Sequence, residues 1–202
     1  MKKQLFNDII SSGIVMLDGA TGTELIKAGM PSGVCPEKWI LENPQHIFEL
    51  QKKYVQAGSK IIYAPSFGAN RMKLELFGLQ DEIFSINREI AELSKKAAGD
   101  EALVFGDIAP TGHFVEPGGD LSFNEAKTIY KEQVEALLAA DVDGFVVETM
   151  MDVQEARAAV LAIKEACDLP VFVSLTFEKG KFTLAGNHPI SALLTMQALK
   201  VD

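Results

Sequence analysis

Five short apolar runs, separated by segments with helical spacing, dominate the pattern of hydrophobic and polar positions along this chain. Each run ends at a polar or charged residue. The runs are Ile14–Leu17, Ile61–Ala64, Leu103–Phe105, Phe145–Val147 and Val171–Leu175. They are nearly continuous in apolar character and rich in β-branched and aromatic residues, which is typical of buried parallel strands. The alternation of strands with helices predicts an α/β protein, built either as a closed barrel or as an open doubly wound sheet.

Local signals mark the ends of several predicted helices. Asn43, followed by proline, predicts the start of a helix before the second strand. Ser122 opens a capping box and a helix that runs towards Ala140, and Asp152 resembles the start of another helix that continues through Ala166. Nothing in the sequence indicates a domain boundary, so the chain is predicted to form a single domain.

Carboxylates follow three of the predicted strands, at Asp18, Asp107 and Glu148. In a (β/α)8 barrel the chemistry lies at the carboxyl ends of the strands, which makes these residues the first candidates for function. Facing each other across a barrel mouth, Asp18 and Glu148 would form an anionic pocket for an amine. Alternatively, Asp18 caps its own loop, Glu148 forms a structural ion pair, and Asp107 shapes a loop as an Asx turn.

A glycine-rich loop follows the first predicted strand. Thr21 and Glu24 have the spacing of a capping box, which predicts a helix directly after that strand. Backbone N–H groups near Gly22 and Thr23 could then hold a carboxylate or phosphate, and Gly19 would let the backbone approach a ligand closely. The loop has neither a G-x-G-x-x-G nor a P-loop pattern, which argues against dinucleotide and P-loop folds.

Composition narrows the class of protein further. A net charge of −9 and a pI near 4.9 argue against a nucleic-acid surface. No stretch reaches the roughly 18 apolar residues of a membrane span, and the basic start has no signal-peptide pattern. Cys35 and Cys167 do not make a disulfide framework, and the three histidines lie far apart. We therefore expect a cytoplasmic protein without nucleic-acid or membrane partners.

The chain resembles the homocysteine S-methyltransferase family, and most closely the homocysteine-binding N-terminal module of its cobalamin-dependent methionine synthase branch. Six sequence blocks that run in order across nearly the whole chain carry the resemblance. These blocks are LDGATGTEL (17–25), SFGANR (66–71), PTG (110–112), PGGDLSF (117–123), ETMMD (148–152) and VSLTF (173–177).

The resemblance implies a (β/α)8 TIM barrel that binds homocysteine at its mouth and methylates the zinc-activated thiolate to form methionine. Asp18 and Glu148 would hold the homocysteine ammonium, the amides of Gly19 and Ala20 would receive its carboxylate, and Ser66 would line the same pocket. The methyl group would come from 5-methyltetrahydrofolate and methylcobalamin, carried by folate- and cobalamin-binding modules. No residue of this chain is assigned a catalytic or metal-binding role.

The resemblance also places zinc outside the sequence. In the family, three cysteines hold the metal, one after the sixth strand and an adjacent pair near the end of the barrel. Lys200–Asp202 looks like the start of a sixth strand, so these ligands are expected beyond Asp202, and neither Cys35 nor Cys167 matches them. The chain is therefore predicted to cover about the first five β/α units, as a homocysteine-binding domain over 1–202 that is incomplete at its C-terminus and inactive alone.

Two alternatives to a methyltransferase module stay open. One is a truncated, non-catalytic homologue that binds only homocysteine or a partner. The other is a magnesium-dependent barrel enzyme with Asp18, Asp107 and Glu148 as oxygen ligands, which requires that all three carboxylates converge on one point.

Overall fold

The computed structural model of the protein describes residues 2–202. Four strands, β1 (Ile61–Ala64), β2 (Leu103–Ile108), β3 (Gly144–Met150) and β4 (Val171–Leu175), form one sheet in sequence order. All neighbouring strands are parallel, and a helix connects each strand to the next. Parallel strands need such crossovers. The prediction of an α/β protein with a parallel sheet is confirmed.

The helices of residues 2–202 comprise nine α-helices and one 3₁₀ turn, Gln80–Glu82. The α-helices are α1 (Lys2–Ser11), α2 (Gly22–Lys27), α3 (Pro36–Glu42), α4 (Pro44–Gln56), α5 (Arg71–Glu75), α6 (Ile83–Ala98), α7 (Phe123–Ala139), α8 (Val153–Ala166) and α9 (Pro189–Ala198). None of these helices is long and apolar enough to cross a membrane.

The predicted caps at Ser122 and Asp152 are present, whereas Asn43 precedes α4 without a side-chain capping bond. Ser122 Oγ accepts a hydrogen bond from Glu125 N at 3.2 Å, and Asp152 Oδ1 accepts one from Gln154 N at 2.9 Å. The capping box predicted at Thr21 is wrong. Helix α2 does begin there, but Thr21 has αR backbone angles and its side chain makes no capping bond, because capping requires an extended backbone at that position.

The first apolar run, Ile14–Leu17, is not the regular strand that the sequence predicts. It forms a single parallel bridge, Leu17 to Ile61, flanked by hydrogen bonds from Lys60 N to Met16 O and from Asp18 N to Ile61 O. Within residues 2–202 its other side has no strand partner, and Ile14 is 95% exposed. Pairing on one side alone still fixes the position of Asp18 beside β1.

Alternation of side chains along the strands produces two separate apolar cores. The larger core lies between the sheet and the outer helices and includes Ile62, Val104 and Val147. The smaller core lies on the inner face and joins Phe105 of β2 and Phe172 of β4 to Phe6 of α1.

Helix α1 closes the amino-terminal end of this inner face. The Phe6 side chain is fully buried, with its ring centroid 5.9 Å from that of Phe105 and 5.4 Å from that of Phe172. Lys2 lies 2.7 Å from an oxygen of Asp141, just before β3, and Lys3 lies 3.3 Å from an oxygen of Asp168, just before β4. The carboxyl ends of the strands stay open at the opposite side.

Candidate functional site

A cavity of about 670 Å³ lies at the carboxyl ends of the strands. Asp18, Asp107 and Glu148 all line it, although they come from three different segments of the chain. Parallel strands end on one side of the sheet, so residues at or near these ends converge. The structure therefore brings the three carboxylates selected from the sequence into one site.

Asp18 is held by the backbone of the neighbouring strand. Tyr63 N donates a hydrogen bond to Asp18 Oδ2 at 2.9 Å. Burial raises the pKa of Asp18 from 3.8 to about 6, and the nearby Glu148 carboxylate acts in the same direction, while the Tyr63 bond opposes both. The charge of Asp18 can therefore change near neutral pH.

Glu148 lies near the end of β3, is half-buried, and has a pKa raised by burial. Its carboxylate forms no hydrogen bond or ion pair with any residue of 2–202 in the structure, so the structural ion pair considered from the sequence is not found there. A half-buried carboxylate without a partner is available for a ligand that brings N–H donors.

Asp107 is the most deeply buried of the three carboxyls, with 5% of the residue exposed. It lies inside β2, which continues to Ile108, so the Asx-turn alternative is wrong. Its side-chain Oδ1 is buried without a hydrogen-bond partner. Burial, together with Glu148 and Asp18, raises the pKa of Asp107 well above its ordinary value.

Ser66 supports the main chain beneath the site. Its hydroxyl donates to Asp107 O at 2.8 Å and accepts from Asp107 N at 3.2 Å. Ser66 is fully buried and is not among the residues that line the cavity. The structure thus places Ser66 as a link between the ends of β1 and β2.

Gly19 and Ala20 line the cavity beside Asp18. Tyr54 Oη donates to Ala20 O at 2.8 Å, and a Cβ on Gly19 would lie 2.9 Å from the Tyr54 ring. The loop therefore passes so close to Tyr54 that a side chain at position 19 would displace the Tyr54 ring.

Two charged residues of the lining were missed by the sequence reasoning. Glu37 of α3 is buried, and its Oε1 accepts from Gly68 N at 2.6 Å. Lys73 of α5 has its ammonium 4.6 Å from the centroid of the Phe67 ring, and burial lowers its pKa. Lys73 lies two residues after the SFGANR block, and this position could have identified it as a candidate site residue. No comparable pattern marks Glu37.

Metal ligands do not converge within residues 2–202, where no three His, Cys, Asp or Glu side chains form a metal-binding group. Burial raises the pKa of the Cys35 thiol to about 11 and also raises that of Cys167, so neither favours the thiolate that zinc requires. The described residues do not fit a zinc site. Asp18, Asp107 and Glu148 share a cavity without forming a metal group, so the magnesium alternative loses its support.

Comparisons with known proteins agree on one family. The family model described as homocysteine S-methyltransferase matches residues 15–202. Methionine synthase from Mycobacterium tuberculosis is 25% identical, over 96% of this chain and 18% of its own length. Betaine–homocysteine S-methyltransferase 1 from Sus scrofa is 26% identical, over 81% of this chain and 60% of its own length. The chain thus spans less than two thirds of these relatives.

Solved structures agree on the fold. The oxidized form of the homocysteine methyltransferase MmuM from Escherichia coli superposes with a TM-score of 0.84 at 21% identity, covering 96% of this chain and 73% of that one. Its metallated form gives a TM-score of 0.83. The prediction of a (β/α)8 barrel, of which this chain forms part, is confirmed.

Proposed function

Because the chain belongs to the homocysteine S-methyltransferase family, we propose that its cavity binds homocysteine and presents the sulfur for methylation to methionine. The observation that carries the proposal is the shared cavity of Asp18 and Glu148, two carboxylates that pair with no cation among residues 2–202. An ammonium group between them would supply both charge and N–H donors.

The substrate carboxylate would lie on the other side of the same loop. The amides of Gly19 and Ala20 are the proposed donors, and the contact between Ala20 and Tyr54 holds this backbone in place. Ser66, assigned to the pocket by the family resemblance, would act by holding the main chain of Asp107. The amino acid would be oriented by its two charged groups, which leaves its sulfur free to react.

In the transfer itself, a sulfur electron pair forms the new S–CH₃ bond. The bond between the methyl group and its donor breaks, and the bonding electrons stay with the donor. The thiol proton is lost to solvent. We propose 5-methyltetrahydrofolate and methylcobalamin, on folate- and cobalamin-binding modules, as the donor system. Zinc activation of the thiol would need ligands other than those of residues 2–202, so no step of this proposal depends on it.

A second candidate function is homocysteine binding without catalysis. It is favoured by one observation, the lack of a thiol-activating metal group within residues 2–202. Homocysteine binding is common to both candidates. Turnover with a methyl donor, measured on the protein as its gene encodes it, separates them.

The binding test uses Glu148→Gln, which removes the charge but keeps the shape. We expect homocysteine affinity to fall by about 1.5–3 kcal/mol, the range for hydrogen bonds to charged groups, which is about ten- to 150-fold. Isothermal titration calorimetry measures the change. Glu135→Gln is the control, because Glu135 is an exposed carboxylate on α7. The amine-free analogue 4-mercaptobutanoate should bind both variants and the parent equally weakly. Unchanged homocysteine affinity in Glu148→Gln would remove Glu148 from the site.

A further inference from the structure

Asp107 lines the cavity, yet the proposed binding of homocysteine makes no use of its side chain. Its backbone N–H and C=O are both satisfied by the Ser66 hydroxyl. Its side chain is not satisfied, because Oδ1 is buried and has no partner among residues 2–202. Buried polar atoms are almost always hydrogen-bonded in native proteins. An unpartnered carboxyl in a cavity wall therefore indicates a partner that the bound state supplies.

The charges around Asp107 decide what kind of partner fits. Glu148, Asp18 and Glu37 face it from β3, from the loop before α2 and from α3, and all three disfavour a further negative charge. Lys73 of α5, whose ammonium lies against the Phe67 ring, is the cation among the lining residues, and it opposes the three carboxylates only weakly. Tyr63 of β1 adds no positive charge. In such surroundings a deeply buried carboxyl keeps its proton, and its raised pKa agrees with this.

A protonated carboxyl has one O–H donor. We propose that Asp107 is a ligand-binding residue that acts as a neutral carboxylic acid and donates a hydrogen bond to an acceptor atom of the bound amino acid. This inference rests on the proposed function. It assigns different roles to the carboxyl groups of the cavity: Asp18 and Glu148 accept hydrogen bonds from the ammonium, and Asp107 donates one to the carboxylate. The favoured ligand is a zwitterionic amino acid, and a simple amine would lose the Asp107 contact.

Two substitutions separate a neutral donor from a charged one. Asp107→Asn keeps a donor and has no charge, and Asp107→Leu removes the donor at similar volume. With L-homocysteine and the protein as its gene encodes it, we expect calorimetric affinity at pH 7 to stay within about threefold for Asp107→Asn and to fall about tenfold or more for Asp107→Leu. If Asp107→Leu binds homocysteine as tightly as the wild type, Asp107 does not contact the ligand. If both variants lose the same affinity, Asp107 does not act as a neutral donor.

A measurement without ligand keeps the inference testable if Asp107→Leu does not fold. Infrared difference spectra between the wild type and Asp107→Asn at pH 7 should contain the C=O stretch of a protonated carboxylic acid. Its absence overturns the inference. The two proposals fail differently: no homocysteine binding in the wild type would refute the proposed function. Homocysteine binding that depends on Glu148 but not on Asp107 would refute only this inference.

Discussion

The carboxyl of Asp18 connects the protonation state of the site to its affinity. Its pKa is about 6, raised mainly by burial, so the carboxylate fraction falls as the pH drops through 6. If the carboxylate holds the ammonium, homocysteine affinity should fall by about tenfold between pH 7 and pH 5. Calorimetry at several pH values measures this slope. In Asp18→Asn, affinity should be lower at pH 7 and the slope shallower. A slope unchanged by Asp18→Asn would assign the titration to another group.

The raised pKa of Asp18 affects the stability of the fold in the opposite direction from its effect on ligand affinity. In the unfolded chain Asp18 ionises near 3.8, whereas in the folded protein it holds its proton up to about 6. The folded state therefore loses stability as the pH rises from about 4 to about 6. The site gains a carboxylate that binds ligand at the expense of stability in the unliganded protein.

Residues at strand ends were accessible to sequence reasoning because strand direction alone determines where they lie. Asp18, Asp107 and Glu148 were found in this way. Glu37 and Lys73 enter the same lining from short helices, α3 and α5, whose placement depends on tertiary packing. No local pattern reports such packing, so the three carboxylates at strand ends were predictable, whereas Glu37 and Lys73 were not.

At the scale of elements, pairing on one side only explains the main difference between the predicted and the observed secondary structure. The run Ile14–Leu17 has the composition of a buried strand, but only β1 pairs with it in the described chain. Helix α1 was missed although its signal was present. Leu5, Phe6, Ile9 and Ile10 follow helical spacing, but this segment was tested only for a signal-peptide pattern.

Helix α1 yields a prediction about stability. Phe6→Ala should lower the free energy of unfolding by about 3–5 kcal/mol, the usual cost of truncating a buried phenylalanine, because its ring contacts both Phe105 and Phe172. Leu5→Ala is the matched control, since Leu5 is its neighbour and is 50% exposed. Urea unfolding measures both variants. Equal effects would mean that α1 does not dock on the inner face in solution.

At the scale of the whole molecule, apolar surface is exposed at both edges of the sheet. A groove of about 760 Å³ lies between β4 and α9, and Leu193 and Leu194 on α9 are 67% and 58% exposed. Ile14, at the opposite edge beside β1, is almost fully exposed. Unpaired strand edges beside apolar surface favour association between molecules.

A polypeptide of residues 1–202 made alone should therefore self-associate, and it should neither retain stoichiometric zinc after dialysis nor turn over homocysteine. Sedimentation velocity measures the association. Replacing Leu193 and Leu194 with Glu should reduce it, whereas Ile26→Glu, at a similarly exposed position on α2, should not. A monodisperse monomer at high concentration, with bound zinc and turnover, would contradict this prediction.

The docking of α1 also has a consequence for synthesis on the ribosome. Lys3 and its partner Asp168 are separated by 165 positions, and the Phe172 ring that contacts Phe6 is made later still. At about 5–20 residues per second, translation of this interval takes roughly ten to thirty seconds. During that time the amphipathic α1 is already made, while the partner of part of its apolar face is not. Helix α1 is thus synthesised well before the segments that complete its native contacts, and its apolar face stays incompletely covered during that interval.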